Sequence, residues 1–100
     1  MAQQRAHHDR TDRREQEALN AVIREQVMLA LGKPDDLLAV AVRPLWNRFY
    51  RVNIFVGPDI AFARVAQSYF VEADADGKIA TTTPKITRQY GQSQDQTPGV

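Results

Sequence analysis

Two histidines, one serine among aromatic residues and a few neighbouring carboxylates are the side chains that could do chemistry in this sequence. His7 and His8 sit together in a polar N-terminal stretch, ahead of the first patterned apolar residues. A general base or a metal ligand must be held in place by rigid neighbours, so these two read as solvated tail residues. Ser68 precedes Tyr69 and Phe70. No further histidine exists to activate it, no G-x-S-x-G turn surrounds it, and no spacing brings Lys33, Lys78 or Lys85 alongside. Cysteine is absent, so there is neither a thiolate nucleophile nor a disulfide.

The stretch Glu72-Ala73-Asp74-Ala75-Asp76-Gly77-Lys78-Ile79 invites comparison with a calcium loop. Counted from Glu72, acids fill positions 3 and 5 and glycine position 6, but position 12 is Thr83, where the ion needs a bidentate Glu. A solvated hairpin turn is the expectation. Asp35 and Asp36 would point to opposite faces if extended, and Glu72 with Asp74 stands at a strand end, where exposed acids are poorly placed for general acid–base work. Gly32-Lys33-Pro34 and Gly57-Pro58-Asp59 carry too few glycines to cradle phosphate. No catalytic pair, metal set or cofactor motif emerges, and the balance favours a protein that is not an enzyme.

The most suggestive group mixes aromatic and polar side chains. Phe49, Arg51, Asn53 and Phe55 alternate along one face of a strand, with Trp46 and Arg48 in the loop before it and Phe70 on a later strand. Such a face suits a protein interface, where aromatic residues and arginine act as anchors, and less well the stacking of single-stranded bases. Gln26 falls among apolar helical positions. Buried, its amide needs a partner at a sheet edge or in a small pocket, with Tyr50 or Tyr69 as companions.

These residues depend on the elements that present them. A helix is expected over about 13–31, with Asp12 and Glu15 as a capping box or Thr11 as cap, and Gly32 and Pro34 as its end. Its apolar stripe takes in Ala18, Leu19, Val22, Ile23, Gln26, Leu29 and Ala30, with Val27 at the edge and Glu17, Asn20 and Arg24 opposite. Strands are expected over 37–43 and 49–56, forming a hairpin whose helix-facing set is Leu38, Val40, Val42, Tyr50, Val52, Ile54 and Val56. A longer strand over about 62–73 and a fourth over 78–83 follow. The segment 60–66 is ambiguous between strand and short helix, the latter capped by Asp59. The predicted fold is α+β: one N-terminal helix packed on a four-stranded antiparallel meander, α-β-β-β-β. One helix cannot cover both faces of such a sheet.

With 100 residues, 43% of them apolar, the chain has material for one domain. The expected organisation is a flexible tail over 1–12, a domain over 13–86 and a flexible tail over 87–100. A net charge of +1 gives no general attraction to nucleic acid or anionic membrane, and no apolar run reaches the roughly 20 residues of a spanning helix. A cytoplasmic location is expected. The leading functional reading is a small interaction module, a homodimer formed through the uncovered sheet face, with another protein as the alternative partner. A ligand pocket or minor enzyme site between helix and sheet, and weak binding of single-stranded nucleic acid, are the other readings.

Overall fold

The computed structural model describes the backbone of residues 2–91 and the side chains of 13–91. The expected tail beyond 91 and the side chains of His7 and His8 lie outside the described residues. One helix, α1 (Ala2–Leu31), packs on a four-stranded antiparallel sheet of β1 (Leu37–Pro44), β2 (Phe49–Val56), β3 (Arg64–Ala73) and β4 (Ile79–Thr83), in the order β1-β2-β3-β4. The architecture is the predicted α+β meander.

The helix starts earlier than expected. Thr11 and Asp12 lie within it rather than at its start, and no glycine or proline interrupts the chain before Gly32. At its other end Gly32 takes φ +90° and donates its N–H to the Met28 carbonyl. The Leu31 carbonyl accepts the N–H groups of both Gln89 and Tyr90, at 2.8 and 3.1 Å. Ile86 and Tyr90 pack against the core, so ordered contacts continue past residue 86.

The buried stripe of α1 is rotated from the one the sequence suggests. Ile23, Val27 and Leu31 are fully buried, and Val27 lies at the centre. Asn20 is half-buried, while Ala18, Val22, Leu29 and Ala30 are exposed, Leu29 to 67%. The chain offers more apolar positions on α1 than one sheet face can cover, and the sheet takes the i, i+4 row that reaches it.

Beneath this stripe lie Tyr50, Val52, Ile54 and Val56 of β2 and Tyr69, Val71 and Ala73 of β3. In β1 a register irregularity between Leu37 and Ala39 alters the expected parity. Leu37, with Val40 and Val42, packs on the core, in the place expected of Leu38. The segment after β2 is a 3-10 turn (Ile60–Phe62) that leads into β3 at Arg64, so the third strand starts two residues later than expected. Asp59 makes no side-chain cap there; its carbonyl accepts the Phe62 N–H at 3.0 Å.

Both sheet edges are protected. On β1, Arg24 of the helix donates from Nε to the Val40 carbonyl at 3.3 Å, and Pro44 ends the strand. On the other side, β4 has five residues, an irregular register beside Ala73 and Pro84 immediately after it. Short, irregular, proline-ended edges resist pairing with another strand.

Candidate functional site

Register fixes which side chains share the face away from α1. Along β2 and β3 the directly paired residues are Phe49 with Glu72, Arg51 with Phe70, Asn53 with Ser68 and Phe55 with Val65. β1 adds Arg43 opposite Arg51, Ala41 opposite Asn53 and Ala39 opposite Phe55. Directly opposite residues of an antiparallel pair point to the same side. No described element covers this side, so the sheet has one roofed face and one open face.

The aromatic residues gather at the end of the β1–β2 hairpin. The rings of Phe49 and Phe70 stack with centroids 5.3 Å apart and an interplanar angle of 19°. Trp46 leans on both, at 5.9 and 6.2 Å, and remains 60% exposed. Its place is set by a tight turn: the Phe49 N–H donates to the Trp46 carbonyl at 2.9 Å, and Asn47 takes the left-handed conformation with φ 52°. The Arg51 guanidinium lies over the Phe70 ring, 5.8 Å from its centroid. Beyond this cluster the Ser68 hydroxyl donates to Asn53 Oδ1 at 2.6 Å. A second apolar patch, half-buried Phe55 beside Val65, which is 47% exposed, lies beyond that pair. Along the strands the open face therefore runs from an aromatic end that also carries Arg43, Arg51 and Glu72, through the polar Asn53–Ser68 row, to the apolar Ala39–Phe55–Val65 row.

Six of the residues picked from the sequence, Trp46, Phe49, Arg51, Asn53, Phe55 and Phe70, thus belong to one surface. Arg48 does not join the aromatic cluster. It is exposed and borders a cleft of about 740 Å³ on the helix side, with Gln16, Asn47, Tyr50 and Asp74.

Gln26, Tyr50 and Tyr69 do not converge. Gln26 Nε2 donates to the Gly77 carbonyl at 2.6 Å, and its Oε1 accepts the Ile79 N–H at 3.0 Å. Its amide fastens α1 to the β3–β4 turn, beside a cleft of about 500 Å³ between α1 and β4. Tyr50 is buried at the hairpin end, where its hydroxyl accepts from Gln16 Nε2 at 3.4 Å. Tyr69 is buried in the core; burial, then the nearby Tyr90 hydroxyl, pushes its pKa up.

The remaining candidates have ordinary roles. Asp74 Oδ1 accepts the N–H groups of Asp76 and Lys78, both at 2.9 Å, which is the hydrogen bonding of a tight turn. Glu72 lies on the open face beside Thr81, away from the Asp74 turn. Among the described residues no three acids, histidines or cysteines are grouped to hold a metal ion. No helix among them is long and apolar enough to cross a membrane.

Sequence reasoning missed the Gln67–Tyr90 hydrogen bond of 2.8 Å, which ties the segment after β4 to β3. A single tyrosine in a glutamine-rich stretch was the signal. Comparison with protein-family models, curated proteins and solved structures finds no match.

Proposed function

We propose that this protein is a non-enzymatic interaction module that self-associates through its open sheet face. The observation that carries this reading is the Trp46–Phe49–Phe70 cluster with Arg51 over it, on a face that α1 cannot reach. Aromatic residues and arginine with room to pack are the usual anchors of protein interfaces. The protected edges direct association away from strand addition and towards the face. Four strands about 4.8 Å apart, 31 residues in all at about 3.3 Å each, give a footprint of about 500 Å² per copy. Two copies would bury about 1,000 Å², the lower limit of a specific interface.

Sedimentation equilibrium and light scattering between about 5 and 500 μM test this. The expected result is a concentration-dependent dimer that Phe70→Lys combined with Trp46→Ala converts to monomer, with the circular dichroism spectrum unchanged. A parent protein that stays monomeric across that range overturns the reading.

A further inference from the structure

We infer that the partner copy sits across a two-fold axis that runs perpendicular to the strands and passes over the Asn53–Ser68 pair. This inference rests on the self-association reading above and fixes how the two faces meet. An isologous pair brings residue i against j and j against i, so a self-complementary face must carry a pattern that maps onto itself. Two in-plane axes keep the strands of two stacked sheets aligned. An axis along the strands, between β2 and β3, lays each row of the face on the same row of the partner. An axis across the strands reverses the rows, so that the two ends of the face exchange.

Charge decides between them. Arg43 and Arg51 are cross-strand partners in a single row. An axis along the strands would put four arginines in one stripe, with the two Arg51 strand positions only about 5 Å apart laterally and the partner's Glu72 one row away, about 7 Å along the strand. Like charges that close, in an interface losing water, disfavour the arrangement. An axis through the Asn53–Ser68 row places Arg51 over the partner's uncharged Phe55 row. The two copies of Arg51 then lie about 13 Å apart along the strands, against about 5 Å laterally for the other axis.

The rows on either side of Asn53–Ser68 fit the same axis. Phe70 meets the partner's Val65, Arg51 meets the partner's Phe55 as a cation over a ring, and the Asn53–Ser68 pair meets its own copy. The hydroxyl and amide on the axis then have polar groups opposite them and are not left against hydrocarbon.

The absence of cysteine makes the test direct. Ser68→Cys places one thiol beside the axis. Glu72→Cys places one on the same strand and face, four residues away. An axis across the strands separates the two copies of residue 72 by about 26 Å, whereas an axis along the strands brings their strand positions to about 5 Å apart laterally. Both variants are oxidised with copper phenanthroline and followed on non-reducing gels. Asn53→Cys, on the neighbouring strand, guards against local damage by the Ser68 substitution. The expected result is disulfide dimer from Ser68→Cys and Asn53→Cys at least about tenfold faster than from Glu72→Cys. A dimeric parent in which Glu72→Cys cross-links as fast or faster overturns the axis and leaves self-association standing, as does a dimeric parent with neither axial variant cross-linking. A monomeric parent overturns both.

Discussion

Replacing Gln26 by Leu separates the helix from the turn it fastens, and the size of the loss follows from the geometry. The side chain makes two bonds to another element, 2.6 Å to the Gly77 carbonyl and 3.0 Å from the Ile79 N–H. A third, 3.2 Å to the Val22 carbonyl, lies within the helix and adds little, since that carbonyl is one turn back and serves the backbone ladder. Each inter-element bond contributes about 0.5–1.5 kcal/mol net. Of the groups left behind, Ile79 borders the cleft of about 500 Å³, which water can enter, whereas Gly77 is buried. The expected loss is about 2 kcal/mol, or about 10 °C in thermal midpoint for a domain of this size. Urea titration of parent and variant measures it, and hydrogen exchange should show the Ile79 amide losing protection while the β2 amides fall only with global stability. A loss under about 0.5 kcal/mol would refute the idea that this amide holds α1 to the sheet end.

Ile54, fully buried between strands and helix, should lose about 3 kcal/mol on Ile54→Ala, whereas Phe62→Ala, at a side chain 69% exposed, should stay within about 0.5 kcal/mol; equal losses would contradict the placement of the core. The raised Tyr69 pKa has a defined sign. The unfolded chain ionises this phenol near pH 10 while the folded chain keeps it neutral, so its contribution is intact below pH 10 and lost as pH rises through the folded value. Stability of the parent should fall between neutral pH and about pH 11 more steeply than that of Tyr69→Phe, and parallel curves from urea melts would exclude the effect.

Strand periodicity made most of the sheet legible. The alternation from Phe49 to Val56 assigns Tyr50, Val52, Ile54 and Val56 to the roofed face and Phe49, Arg51, Asn53 and Phe55 to the open one, as found. Alternation cannot anticipate a bulge, and the irregularity after Leu37 gave that residue the core position expected of Leu38. The helix was less readable. Its apolar residues span more than one face, so the choice of Val27 over Leu29 and Val22 belongs to the sheet it docks on. Gln26 was visible as a polar residue needing a partner, but its partners are more than fifty residues along the chain. The scatter of Gln26, Tyr50 and Tyr69 over three regions has the same origin, since their grouping depends on where the helix crosses the sheet.

The return of the chain to the end of the helix joins the beginning and end of the fold. Leu31 receives two amides from Gln89 and Tyr90, and Arg88 reaches the Leu29 carbonyl at 3.2 Å. A side chain at Gly32 would collide with the Tyr90 carbonyl, so the approach tolerates no bulk. A protease nick or a fusion joint between Ile86 and Gly91 would therefore loosen the last turn of the opening helix, although it falls at the opposite end of the sequence.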